Sequence, residues 1–225
     1  MAERGKAVRV SQDTSPKTRV RDAGATRARI MEAAKTQFAK HGLDGARVDE
    51  IAAKADVNKR MIYHYFGSKE ALFREVLEAA YLDIRAAEQA LELDHLPPEQ
   101  ALETLVRFTW EYYLANPEFI TLVNSENLHR ARHLKTSEKV KLVSRAFVEM
   151  VQRLLDRGVE EGVFRAGVDP VQLNITIAAI GYYYLTNRFT GSIVFERDMM
   201  APDALERRLT FNIDTIIRLV RRDEP

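Results

Sequence analysis

The chain has no cysteine and no long run of purely apolar residues, and each absence removes a class of protein. Without cysteine there can be no disulfide staples and no thiolate ligands for a metal. The uncharged stretch Val171 to Asn187 carries Gln172, Asn174, Thr176 and three tyrosines. It is too short and too polar to cross about 30 Å of hydrocarbon and reads as a buried helix, so no membrane partner is expected. No apolar segment follows the basic start Met1 to Arg21, so a secretory signal is not expected and a cytoplasmic location is. A Gly-rich phosphate loop, a nucleophile elbow and a Ser/His/Asp set in defined context are also missing. The expectation is therefore a protein with no catalytic residues and no cofactor.

Net charge is close to zero, at +1, but its distribution is uneven. Up to Glu70 there are 15 Lys+Arg against 9 Asp+Glu, a balance of +6; the remainder has 19 against 24, a balance of −5. Clustered cations at one end point to a polyanion partner for that end alone.

Periodicity supplies the rest of the frame. Residues 1–24 hold six Arg/Lys among Ser, Thr, Gln, Gly and Pro with no apolar period, and read as a disordered basic arm. Thr26 then caps a helix to about residue 41 with Ile30, Ala33, Ala34 and Phe38 on one side, ended by Gly42. Val48, Ile51, Ala52 and Ala55 mark a short second helix, and Asn58 caps a third that runs to Phe66. Gly67 breaks the third, and Ser68 caps a long fourth helix carrying Leu72, Phe73, Val76, Leu77, Ala80 and Ile84. Further helices are predicted near 98–115, 117–132, 136–161, 169–190 and 202–221, several opening on proline where a missing N–H is harmless. No alternating strand pattern of useful length is present. The prediction is an all-α fold of about nine helices, with an arm over 1–24, a smaller helical unit over 25–70 and a larger helical unit over 71–225.

Two short helices joined by a tight turn have the spacing of a helix-turn-helix, whose second helix enters the major groove. Ile51, Ala52, Ala55, Val57, Ile62 and Phe66 face inward, leaving Lys59, Arg60, Met61, Tyr63 and His64 outward. The run Ile51-Ala52-Ala53-Lys54-Ala55-Asp56-Val57-Asn58-Lys59-Arg60-Met61-Ile62-Tyr63-His64-Tyr65-Phe66-Gly67-Ser68-Lys69-Glu70-Ala71-Leu72 resembles the DNA-binding signature of the tetracycline-repressor family of bacterial regulators. Its most specific part is Tyr63-x-Tyr65-Phe66-x-x-Lys69-Glu70-x-Leu72. The resemblance implies that Tyr63 and Lys69 contact phosphate, that Lys59, Arg60, Met61 and His64 meet base edges or adjoining backbone, and that Asn58 is a cap. Arg27 and Arg47 complete the expected DNA-binding set. Val48 stands where the family usually has a capping Thr or Ser, with Arg47 as a substitute cation, and Asp56 stands where it favours glycine. The resemblance further implies a double-stranded operator, a homodimer built on the last two long helices, and a small-molecule effector.

For the second unit the residues are read directly. Its many aromatics are mostly core, but amides inside apolar stripes require partners. The candidate effector contacts are Trp110, Tyr113, Asn124, Asn127, Arg130, Phe147, Asn174, Ile177, Tyr184 and Arg188, and the effector they suggest is aromatic or heteroaromatic. The stripe Leu205, Leu209, Ile213, Ile216, Ile217 and Val220 is the expected dimer face, its alternative being packing within one protomer. His129 and His133, four apart, are expected to face solvent rather than hold a metal, because no third ligand stands at suitable spacing. A constitutive DNA-binding dimer without effector remains the competing function, with an enzyme or carrier on the same scaffold behind it.

Overall fold

Proline stands at the first position of five helices, where its fixed φ helps and its absent N–H is not missed. In the computed structural model, which describes residues 16–222, they and their neighbours run α1 (Pro16–Gly45), α2 (Val48–Lys54), α3 (Lys59–Phe66), α4 (Lys69–Gln89), a 3-10 turn (Leu93–His95), α5 (Pro98–Ala115), α6 (Pro117–Leu128), α7 (Glu138–Glu160), α8 (Pro170–Thr186), α9 (Arg188–Val194) and α10 (Pro202–Val220). The described residues form no strand; Phe164 and Arg221 make one isolated antiparallel bridge. The all-α expectation holds, with ten α-helices rather than about nine.

Two boundaries differ for local reasons. The segment predicted as 169–190 is two helices, because Asn187 leaves helical geometry and turns its side-chain amide back to donate to the Tyr183 carbonyl at 2.9 Å. The segment predicted as 117–132 ends at Leu128, since Arg130 and Ala131 both take positive φ, near 57° and 55°. At the N-terminus, residues 1–15 of the expected arm lie outside the described residues, whereas 16–24 belong to α1 and Thr26 is inside the helix rather than its cap. Pro16 at the helix start and the Arg- and Ala-rich run behind it are good helix formers, enough to carry the helix through Gly24. Gly42, at φ 65°, ends the regular part of α1 as expected.

One apolar core joins α1, α2, α3 and the first half of α4, with Ile30, Phe38, Ile51, Ile62, Leu72 and Phe73 essentially closed to solvent. Phe38 and Phe73 meet edge to face at 5.1 Å between ring centroids. This core runs past residue 70 to Leu77 and takes in Leu122 of α6, so α4 is shared between head and body. A second core packs α5, α7, α8 and α10 around Leu102, Leu105, Val151, Leu154, Phe164 and Ile216. A third, rich in aromatics, joins α4, α5, α6 and α8 through Ile84, Trp110, Tyr113 and Phe119.

Candidate nucleic-acid interface

The α2–α3 turn is built from local chemistry. α2 starts without a side-chain cap, as Val48 implies, and the Arg47 carbonyl instead accepts from the Glu50 and Ile51 N–H groups, both at 3.1 Å. Asp56 takes the left-handed conformation at φ 52°, which aspartate tolerates better than most residues, and the Val57 N–H closes the turn on the Ala52 carbonyl at 3.0 Å. Asn58 then caps α3, its side-chain oxygen accepting from the Arg60 N–H at 2.9 Å. Gly67, at φ 79°, and Ser68, whose hydroxyl accepts from the Ala71 N–H at 3.0 Å, turn the chain into α4.

Ile62 and Phe66 anchor α3 in the core, so the helix presents Asn58, Lys59, Arg60, Tyr63 and His64 to solvent, with Met61 half-buried beside them. The Arg60 guanidinium has no hydrogen-bond or ion-pair partner among the described residues. Between α2, α3 and the start of α4 lies an open groove of about 400 Å³ whose lining carries Arg47, Lys59, Tyr63 and Lys69 alongside the carboxylates of Asp49 and Glu70. Three cations and a phenol around one concavity can hold phosphate oxygens while α3 faces base edges.

Internal bonds engage Lys59, Lys69 and Arg27 as well. Lys59 pairs with Asp49 at 2.9 Å, which raises its pKa from the ordinary lysine value. The Lys69 ammonium donates to the carbonyls of Asp44 at 3.4 Å and Ala46 at 3.2 Å, so it ties the end of α1 to α4 as well as standing at the groove. Arg27, expected among the DNA contacts, pairs with Glu75 on α4, and its guanidinium lies 5.1 Å from the centroid of the Phe66 ring.

The head is fastened to the body by a set of polar contacts that spacing did not reveal. The Leu43 N–H donates to the Ser125 hydroxyl at 3.3 Å across the α1–α6 contact. Glu126, nearly closed to solvent, accepts from the N–H groups of His133 at 2.8 Å and Leu134 at 3.0 Å, and its other oxygen lies 2.6 Å from His133 Nδ1. The His133 ring meets Phe73 of α4 edge on at 5.2 Å. His133 is therefore buried, contrary to the solvent-facing expectation, because Glu126 and the tightly turned Arg130-Ala131 backbone fold it inward. No group of three or more His, Cys, Asp or Glu able to hold a metal occurs among the described residues.

The ten expected effector contacts do not converge. Trp110, Tyr113 and Tyr184 do sit together, with Trp110 and Tyr184 edge to face at 5.5 Å. Phe147 and Ile177 belong to the second core, where the Arg85 guanidinium lies 4.1 Å from the Phe147 centroid. Asn124 accepts from the Tyr182 hydroxyl, Asn127 is exposed and donates to the Val123 carbonyl of its own helix, and Arg130 faces solvent. Asn174 is half-buried on α8, and Arg188 folds back on the Leu185 carbonyl and the Phe189 ring. Helical phase placed these residues on plausible faces, but Arg130 lies beyond the early end of α6 and Arg188 beyond the break at Asn187.

Two of the concavities among the described residues lie in this body. One of about 470 Å³ lies between α1, α4 and the α5–α6 corner, where Met31, Glu32, Asp83, Tyr112 and Phe119 meet. The other, about 560 Å³, lies between α8, α9 and α10. On α4, Glu88 is only 2 % exposed; its carboxylate is 3.0 Å from Arg85 Nε, yet the N–H is turned so that neither atom completes a hydrogen bond. Burial raises the Glu88 pKa to about 7, with Arg85 pulling weakly the other way.

The expected dimer stripe is only partly exposed in the protomer. Ile216 and Val220 are fully buried in their own protomer, and Leu205, Leu209, Ile213 and Ile217 pack partly against its cores. The large apolar side chains that α8 and α10 leave exposed are Val171, Ile175 and Tyr183, at i, i+4 and i+12, with Phe211 and Leu219.

Comparison with known proteins agrees with this architecture. Residues 30–76 match the family model described as bacterial regulatory proteins, tetR family, and residues 98–216 match the tetracyclin repressor-like C-terminal domain. The chain is 39% identical over 204 residues to the HTH-type transcriptional repressor NicS of Pseudomonas putida, a match covering 91% of this chain and 96% of NicS. Its fold is similar to that of the transcriptional regulator SCO4942 of Streptomyces coelicolor, with TM-score 0.66, 26% identity, and coverage of 88% of this chain and 99% of the other. The ketosteroid regulator KstR2 of Mycobacterium tuberculosis shares the fold at TM-score 0.58 and 20% identity, over 88% of this chain and 95% of its own. With both halves matched and the helix-turn-helix in place, the chain belongs to the TetR family of bacterial transcriptional regulators, a non-enzymatic DNA-binding class.

Proposed function

We propose that this protein is a cytoplasmic homodimeric repressor that grips a palindromic operator through α3 of each protomer and is released by a small organic effector. The observation that carries the DNA-binding part is the outward face of α3, where Lys59, Arg60, Tyr63 and His64 stand free of the core beside a groove rimmed by Arg47 and Lys69. Lys59, Arg60, Met61 and His64 are assigned to base edges or adjoining backbone, and Arg47, Tyr63 and Lys69 to phosphate. The residue division we assign is 25–70 for operator binding and 71–225 for effector binding and dimerisation, with α4 crossing between them.

Dimerisation is assigned to the exposed faces of α8 and α10. A helix-turn-helix reading a palindrome requires a twofold partner, and Val171, Ile175, Tyr183, Phe211 and Leu219 form an apolar surface with no cover within the protomer. The repressor sense follows the relatives, NicS among them, whose names carry it. No helix of the described residues is long and apolar enough to cross a membrane. An aromatic or heteroaromatic effector is supported by the ring cluster around Trp110 and Tyr184.

The test is selection of bound sites from random duplexes, followed by titration of the selected site. A two-half-site palindrome bound by one dimer is expected. Binding that does not distinguish the selected duplex from random competitor would overturn the assignment.

A further inference from the structure

The body of the protein is acidic except in one stretch. Residues 71–225 balance at −5, yet residues 130–145 hold six Lys+Arg against the single acid Glu138, a balance of +5 that leaves the rest of the body at −10. Arg130, Arg132, Lys135, Lys139, Lys141 and Arg145 are all exposed. Glu138 is taken by Lys141 at 2.8 Å, Arg132 donates to His133 Nε2 at 3.3 Å, and Arg145 donates to the Lys141 carbonyl at 3.4 Å. Arg130, Lys135 and Lys139 have no hydrogen-bond or ion-pair partner among the described residues. Like charges crowded on one surface repel one another, and a polyanion relieves that repulsion while releasing its own counterions.

The segment is held by the head. Leu134 packs against the head core, the His133 ring meets Phe73, and Glu126 accepts from the N–H groups of both residues, so this turn is fixed against α4. His129 Nε2 lies 3.7 Å from an Asp44 side-chain oxygen, and the Asp44 carbonyl accepts from Lys69 of the groove at 3.4 Å. Asp44 thus touches the groove cation with one group and the neighbour of Arg130 with another. After the Ser137 cap, Lys141 and Arg145 lie one turn apart on the side of α7 opposite Val140, Phe147 and Val151. We propose that the segment from Arg130 to Arg145 is a second phosphate-binding surface, which engages the backbone of duplex DNA flanking the half-site read by α3. Continuity with the groove and the sign of the charge select this partner. An anionic membrane is disfavoured, because Leu128 and Leu142 are the only large apolar side chains exposed between residues 120 and 150. The segment also stands apart from the α8 and α10 faces assigned to the partner protomer. The surface extends the operator-binding reading and rests on it for its place beside α3.

The test is the affinity of the full-length protein for the selected operator trimmed to its two half-sites, and for the same operator with about ten base pairs, one helical turn, added at each end. Both are measured between about 50 and 200 mM salt. One added phosphate contact per protomer, about two per dimer, should steepen the slope of log affinity against log salt by about two on the longer duplex and shrink its advantage about tenfold over that range. The combined variant Arg130→Gln, Lys135→Gln and Lys139→Gln removes three exposed charges that touch no packed group. It should lose the advantage of the longer duplex while binding the trimmed operator within about twofold of the natural protein. The proposal is overturned if the natural protein binds both duplexes with one slope, if the variant keeps the advantage, or if it weakens both duplexes equally, which is the mark of overall charge. A loss that appears on phosphatidylglycerol vesicles and not on DNA overturns it too. Failure of the operator reading shows separately, as equal affinity of the natural protein for selected and random duplex. The surface is then judged on the random duplex, where the variant should lower the slope by about two and an unchanged slope overturns it.

Discussion

Glu88→Gln should make the protein more stable at pH 8 and remove a pH dependence that the natural chain shows. The Glu88 carboxyl is buried against Arg85 without a completed hydrogen bond, and its pKa is raised from 4.5 to about 7. A carboxyl raised in this way holds a proton in the folded chain that the unfolded chain has already lost. Its favourable contribution is therefore complete below about pH 4.5 and is lost as pH rises through about 7. Each pH unit of difference is worth about 1.4 kcal/mol, so the loss from this one group is about 3 kcal/mol. Glutamine keeps the shape and an acceptor but has no proton to lose. Urea unfolding followed by Trp110 emission, at pH 5, 6, 7 and 8 and at one protein concentration, reads the effect directly. Natural and Gln proteins should differ by less than about 1 kcal/mol at pH 5, with the variant ahead by about 1–3 kcal/mol at pH 8. Parallel pH profiles, or a variant weaker at pH 8, would show instead that the Arg85 pair stabilises the charged form and would refute the reasoning.

Asn58→Ala removes the α3 cap and should cost about 1 kcal/mol in thermal unfolding. It should also weaken operator binding with the salt dependence unchanged. Gly158→Ala would place a Cβ 1.9 Å from a ring carbon of buried Phe164, so the ring must move and stability should fall by about 1–3 kcal/mol, read as a lower melting temperature. Phe211→Glu puts a charge on the exposed apolar face of α10; sedimentation should show a monomer, whereas an unchanged dimer would place the interface elsewhere. Lys69→Met should reduce the slope of log affinity against log salt by about one while also lowering the melting temperature, because the ammonium both faces the groove and binds two carbonyls.

The head was legible in the sequence because its determinants are local. Asn58, Gly67 and Ser68 act within a few residues, Asp56 takes the turn conformation directly, and the inward set Ile51, Ala52, Ala55, Ile62 and Phe66 follows helical period. Proline likewise fixed most helix starts in the body. What escaped depends on which side of an amphipathic helix meets which neighbour. Both faces of α10 are apolar enough to be a candidate interface, so Ile216 and Val220 could not be told from Phe211 and Leu219 by period alone. His133 read as solvent-facing because the groups that bury it, Phe73 and the turned backbone at Arg130 and Ala131, are distant in sequence or of unusual conformation.

The most direct test of the account is the affinity of Arg60→Ala for the selected operator and for random duplex, measured side by side at two salt concentrations. Arg60 is exposed on α3 and free of internal partners, so the fold should be unaffected. Affinity for the selected site should fall by about 5–150-fold, as for one good base contact worth about 1–3 kcal/mol, with preference relaxed at one base pair of each half-site and random-duplex affinity little changed. Equal affinity of natural and variant proteins for the selected operator would contradict the placement of α3 in the major groove.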